Sequence, residues 1–164
     1  MRDIDLDRHL TIASILLAHG ALADSPDMSN YTPLHLAAER GHTAMCELLM
    51  RDGRASGLAR SSNGSSPMHL ACHKGDARTV VSLLQRMLSN GDIAMGPKAF
   101  EPLRNNWGST PPDIARARGH HHLAEHLEDA VLSMHQRWQI TKLKGSTRPS
   151  LYLVPGTYGS LWCI

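Results

Sequence analysis

Aromatic residues are scarce in this sequence: three Trp, three Tyr and one Phe make up 4% of its 164 residues. A β-sandwich core normally recruits aromatic and β-branched side chains, so the scarcity argues for packed helices built from Leu, Ile, Val, Met and Ala. Cysteine is equally thin. Cys46, Cys72 and Cys163 are odd in number and no pair has metal-ligand spacing. They read as free thiols in a reducing compartment, not as a disulfide framework or a zinc site. No stretch approaches the roughly 18 apolar residues of a membrane helix. The opening MRDIDLD carries three Asp and no apolar run, unlike a secretory leader. An intracellular protein, cytoplasmic or nuclear, with no membrane partner is therefore expected. Charge of one sign is also missing. The formal net charge is +2, too small a bias to imply nucleic acid. Glycine-rich phosphate cradles and the G-x-S-x-G nucleophile elbow are absent, so neither a cofactor nor a catalytic residue is expected.

What is present is self-repetition within a globular composition, 41% apolar and 20% charged. Thr32-Pro33-Leu34-His35-Leu36-Ala37-Ala38 leads in nine residues to Gly41. Ser66-Pro67-Met68-His69-Leu70-Ala71-Cys72 leads in nine to Gly75. Thr110-Pro111-Pro112-Asp113-Ile114-Ala115 leads in nine to Gly119. The starts lie 34 and then 44 residues apart, the longer gap holding a Gly- and Pro-rich insertion at about 92–104. The hydroxyl residue can cap a helix. Proline suits the first helical position, where its missing N–H costs nothing. The glycine ends the helix in a left-handed conformation. A second amphipathic segment follows each glycine, with apolar residues at i, i+3, i+4 spacing: Met45, Cys46, Leu48 and Leu49; Val80, Val81, Leu83 and Leu84; Leu123, Ala124 and Leu127. Each unit is thus predicted to be two short antiparallel helices.

The Thr32–Ala38 phrase is similar to the TPLHxA signature of the ankyrin repeat, which recurs near every 33 residues. Asp27, Asn30 and Tyr31 resemble the hairpin that precedes it, with Asn30 replacing a glycine at positive φ. The stretch Ile12–Ala21 looks like the second helix of an earlier repeat, so the resemblance covers about residues 8–128. Ser61 and Asn105 stand where the hairpin aspartate is expected, and Pro112 and Asp113 replace the usual Leu and His. Asp113 resembles a final, capping repeat.

The implied fold is an all-α, ankyrin-like helical-repeat solenoid with short hairpin loops and a C-terminal helical extension. Its expected parts are a partial repeat at 1–28, full repeats at 29–61 and 62–104, a capping repeat at 105–128, a helical extension at 129–144 and a tail at 145–164. The insertion is expected to lengthen one finger loop. Scaffold roles fall to Thr32, Pro33, His35 and Gly41, to Ser66, Pro67, His69 and Gly75, and to Thr110, Pro111 and Gly119. The two histidines act as clips to the cap hydroxyl and to neighbouring loop backbone.

The resemblance also implies non-enzymatic protein–protein recognition, as an adaptor, inhibitor or targeting subunit. The contacts would lie on the concave face of hairpin tips and first helices. That face takes Met28, Ser29, Tyr31, Glu39 and Arg40; then Ser62, Asn63, Ser65, His73 and Lys74; then Asn106, Trp107, Ser109, Ala117 and Arg118. Tyr31 and Trp107 are of the type that dominates binding energy. Arg40, Lys74 and Arg118 form a basic stripe, which predicts a partner segment bearing Asp, Glu or phosphate.

Two other readings stand beside this one. MRDIDLD is too short for a hairpin and first helix, so the first pair is expected to lack part of its outer member. Ile12, Ile15 and Leu16 would then be partly exposed, an edge suited to self-assembly. His122-Leu123-Ala124-Glu125-His126 spells H-x-x-E-H, a zinc-hydrolase pattern, although no distant third ligand follows it. Past the last repeat, Leu127, Val131, Met134 and Trp138 form one helical stripe. The segments 151–154 and 160–164 flank a Pro-Gly turn and read as a hairpin or as an unstructured tail. The apolar carboxyl end is of the kind that adds a strand to a PDZ-type groove.

Overall fold

A computed structural model of the chain describes residues 2–93, 96 and 98–143, with side chains from Asp7 to Gln136 within that range. Among these residues there are seven α-helices and no strand: α1 (Arg2–Ala18), α2 (Pro33–Arg40), α3 (Thr43–Arg51), α4 (Pro67–Lys74), α5 (Ala77–Asn90), α6 (Pro111–Ala117) and α7 (His121–Leu143). The tail and the Trp138 side chain lie outside the described residues.

The three repeated phrases start α2, α4 and α6. Thr32, Ser66 and Thr110 are extended, with φ of −89°, −88° and −90°. Each proline after them occupies the first turn, where it removes no helical hydrogen bond. Gly41 and Gly75 end α2 and α4 at φ 71° and 78°, and Gly119 at φ 83° follows Arg118, the last cap of α6. Asp76 caps α5 by accepting the Arg78 N–H at 3.2 Å.

Helices α2, α4 and α6 pack side by side as an inner layer, while α3 sits between α1 and α5 in an outer layer. Helix pairs α2–α3, α4–α5 and α6–α7 close each unit. The small residues Ala37, Ala38, Ala71, Cys72, Ala115 and Ala124 are buried where helices meet, letting backbones approach closely. Leu34, Met68, Val80, Leu83 and Met87 fill the space between layers. Each such side chain contributes about 1.5–3 kcal/mol of transfer free energy.

Three expectations are corrected here. First, α1 packs against α3, so the outer member of the first pair is present and it is the inner place beside α2 that is open. Ile12, Ile15 and Leu16 are exposed, as the short N-terminal segment predicts. Second, the insertion does not simply lengthen a finger loop. Ile93, Ala99, Phe100 and Leu103 from it are buried in the common core, and a side chain at Gly96 would meet the His135 ring. Third, α7 runs without a break through the expected boundary near residue 128. Its buried stripe of Leu127, Val131 and Met134 covers the last unit.

Candidate protein-binding face

The concave face starts from the hairpin tips, and each tip is pinned by one short polar side chain. Asp27 Oδ1 accepts the Ser29 and Tyr31 N–H groups, both at 2.8 Å. Asn105 Oδ1 accepts those of Trp107 at 3.0 Å and Ser109 at 2.9 Å. Ser61, with a shorter side chain, accepts one tip N–H instead of two, that of Ser65 at 3.1 Å, and its hydroxyl faces Asn63 Oδ1 and the Ser65 carbonyl as acceptors. At the turns, Asn30, Gly64 and Gly108 hold φ of 57°, 75° and 78°.

Neighbouring tips are then bonded to one another. The Ser62 N–H donates to the Ser29 carbonyl at 2.9 Å, and the Asn106 N–H donates to the Asn63 carbonyl at 3.2 Å. Asn106 Nδ2 adds a bond to the Ser62 carbonyl at 3.1 Å. Arg60, whose part the sequence does not signal, donates to the Arg104 carbonyl and ties two hairpin stems.

Behind the tips lie the histidine clips. His35 Nδ1 receives the Thr32 N–H at 3.1 Å, and its Nε2 lies 3.0 Å from the Ser65 carbonyl of the next unit. His69 does the same with the Ser66 N–H and the Ser109 carbonyl, both at 3.0 Å. A nitrogen facing an N–H must accept and one facing a carbonyl must donate, so both rings are neutral and carry their proton on Nε2. Burial lowers both pKa values below the ordinary histidine range, and the carbonyl bonds oppose it only in part. Asp113 takes this place in the last unit, accepting the Thr110 N–H at 2.9 Å and hydroxyl at 2.7 Å. Burial works against its charge, but the Thr110 bonds and Arg116 outweigh it and hold the carboxyl below its usual range. A carboxylate has no proton to donate to a further hairpin.

The residues predicted to bind divide into three groups. Met28, Ser29, Glu39, Arg40, Ser62, His73, Lys74, Asn106, Trp107, Ala117 and Arg118 are exposed. Tyr31, Asn63 and Ser109 are half-buried, and Tyr31 stacks at a tilt on His35 with ring centres 5.3 Å apart. Ser65 is a correction: it is buried and gives its carbonyl to the His35 clip, so it belongs to the scaffold. Arg40 and Lys74 end α2 and α4 and Arg118 caps α6, so the three occupy matching places. The Lys74 ammonium also donates to the Arg40 carbonyl, which ties one member of the stripe to the scaffold.

His122, Glu125 and His126 of the H-x-x-E-H segment are exposed on α7, while Ala124 between them is buried. The His122 side chain is 95% exposed, 3.8 Å from the Glu125 carboxylate. Among the described residues no three His, Cys, Asp or Glu side chains gather to hold a metal. Burial pushes the Cys46 thiol up to about 12 and the Cys72 thiol up as well, so neither is poised as a nucleophile.

Comparisons with known proteins agree with this geometry. A profile described as "Ankyrin repeats (many copies)" matches residues 16–71, and one described as "Ankyrin repeat" matches residues 63–94. Human ankyrin repeat and SOCS box protein 10 is 31% identical over 158 residues, covering 80% of this chain and 30% of that protein. Alpha-latrotoxin-Lg1a of Latrodectus geometricus is 30% identical over 83 residues, 49% of this chain and 6% of the toxin. Tyrosine-protein kinase HTK16 of Hydra vulgaris is 28% identical over 119 residues, 72% of this chain and 14% of the kinase. The chain thus spans less than a third of each of these relatives, and their differing names attach to much longer molecules. The repeat that both profiles describe, and that the human relative's name carries, generally mediates protein–protein interaction and is typically not enzymatic. With the repeated phrases, clips and two-layer stack all in place, the chain belongs to the ankyrin repeat family.

Proposed function

We propose that this chain works as an adaptor, inhibitor or targeting subunit by holding a segment of another protein across its concave face. The observation that carries the reading is Trp107, 70% exposed on a hairpin tip whose backbone is fixed by Asn105. Met28 stands fully exposed on the first tip. Large apolar side chains on rigid loops lose little conformational freedom on binding, which favours them as anchors. Arg40, Lys74 and Arg118 add positive charge at the C-terminal ends of the three inner helices. A partner segment bearing Asp, Glu or phosphate fits that charge. An intracellular setting is part of the proposal, supported by Cys46 and Cys72 standing as free, buried thiols.

The test uses residues whose loss leaves the stack intact. Wild-type chain and the Met28→Ala/Trp107→Ala variant are used as baits in one cell extract, with circular dichroism confirming equal helicity. A protein retained by the wild type and lost by the variant is the expected result. A partner held equally by both places the contact away from this face. With that partner in hand, Arg40→Glu/Arg118→Glu is expected to weaken binding by about tenfold or more and to reduce the loss of affinity on adding salt. Unchanged affinity would dispose of the acidic-segment reading.

A further inference from the structure

Between the hairpin tips and the basic helix ends, the inner helices carry a further row of side chains. In α4, which has an inner helix on either side, only Leu70, His73 and Lys74 escape burial. They stand at i, i+3 and i+4, so they form its one open face. The same places are taken by Leu36, Glu39 and Arg40 in α2 and by Ile114, Ala117 and Arg118 in α6. Leu36 is 37% exposed, and Leu70 and Ile114 are half-buried. A line of apolar side chains, one per unit, therefore crosses the stack. It runs four residues, about 6 Å, from Arg40, Lys74 and Arg118.

The interval along this line selects what can lie on it. Ala37, Ala71 and Ala115 are buried where α2, α4 and α6 pack, which sets neighbouring axes about 8–10 Å apart. The clip bond of 3.0 Å at both steps keeps the interval even in spite of the insertion. An extended strand repeats a side chain on one face about every 6.6–6.8 Å, which is too short. An α-helix brings one back after seven residues, about 10.5 Å. A concave surface draws side-chain ends closer than their axes, so the helical interval is too long. Polyproline II brings one back at every third residue, about 9.3 Å, which fits.

The three residues of each polyproline II turn also point in three directions. With one on the apolar line, the second faces the basic helix ends and the third faces the tips. There Trp107 offers an exposed aromatic surface of the kind that receives proline. The charge match is strongest over α4 and α6, where His73 and Ala117 stand in the place of Glu39.

We infer that the concave face takes a proline-rich partner segment in polyproline II conformation, with an apolar residue at every third position set on Leu36, Leu70 and Ile114 and an Asp or Glu in each triplet turned to the basic helix ends. The inference rests on the protein-binding reading above and adds the conformation and spacing of what binds.

The probe is a fluorescent peptide of four Leu-Glu-Pro triplets, titrated into the full chain by anisotropy. Glu before each Pro is held out of the helical region. Saturable one-to-one binding is expected. A peptide of the same composition with Leu at every second position is expected to bind at least about tenfold more weakly, because most of its Leu side chains miss the line. Replacing each Glu with Lys should cost as much. In the protein, Leu70→Gln should bring a similar loss, with circular dichroism confirming that the helices are kept. Lack of saturation, equal binding by the respaced peptide, indifference to Leu70→Gln, or tighter binding by a helical peptide with Leu at every seventh position would overturn the inference. The two readings fail separately. If the triplet peptide fails while the Met28→Ala/Trp107→Ala bait still loses a partner that the wild type retains, this inference falls and the protein-binding reading stands.

Discussion

The two ends of the stack present outer helices of similar chemistry and opposite fate. Helix α1 offers Ile12, Ile15 and Leu16, all more than half exposed, while α7 offers Leu127, Val131 and Met134, all buried. The difference lies in the neighbours. Helix α6 lies inside α7, and among the described residues no inner helix lies inside α1. In a linear array each unit's stability is its own term plus the interfaces it makes. An apolar residue is therefore a core residue only when the next helix is there.

Truncation breaks this comparison most sharply. Leu127→Ala is expected to cost about 3 kcal/mol, the transfer term plus an unfilled cavity. Leu16→Ala, already half in water, should cost under about 1 kcal/mol. Urea unfolding of the two variants measures both, and similar losses would mean the exposed face of α1 is covered in solution.

A smaller effect separates two of the left-handed positions that follow the outer helices. Gly20 serves the first at φ 85°, but Arg54 serves the second at φ 52°. The glycine beside it cannot be spared. A side chain at Gly53 would come within 2.6 Å of Ala23 Cβ and 2.7 Å of the Leu49 carbonyl. Arg54→Gly should raise stability by about 1 kcal/mol, the cost of holding a side chain in that region. A loss in unfolding midpoint would show that the Arg54 side chain contributes more than its backbone costs.

The mildest contrast is in pH. The histidine clips of the middle units have lowered folded-state pKa values, so the unfolded chain takes up protons first. Their stabilisation is complete above the unfolded histidine value near 6.5 and drains away as pH falls through the folded one. Asp113 in the last unit, also lowered, keeps its contribution until the pH falls below the unfolded carboxylate value near 3.9. Urea midpoints should therefore decline between pH 7 and 5, and a His69→Asn variant should show a shallower decline. A wild-type midpoint that is flat across that range contradicts neutral clips.

Much of this architecture was legible in the residues because its instructions are local. A hydroxyl, a proline and a glycine nine positions on mark each inner helix, and Asn30 does take positive φ. Features that depend on distant atoms were not legible. Arg54 carries the left-handed turn while the glycine beside it, Gly53, is needed where Ala23 and the Leu49 carbonyl leave no room for a side chain. Ser65 reads as a tip residue but is claimed by a histidine 30 positions away. The burial of Ile93, Phe100 and Leu103 had a signal, apolar residues in a Gly- and Pro-rich stretch, but no periodicity to say what they pack against.

That folded insertion has a consequence for whatever lies along the concave face. The chain takes 34 residues to pass from the first clip to the second and 44 from the second unit's cap to the third's, yet the clip bond measures 3.0 Å in both. The tip-to-tip bonds likewise match, at 2.9 and 3.2 Å. The extra length is taken up at the back, and the front keeps a constant pitch. A ligand reading the front meets an evenly ruled surface, so the length of the back can drift, or be engineered, without altering what the front recognises.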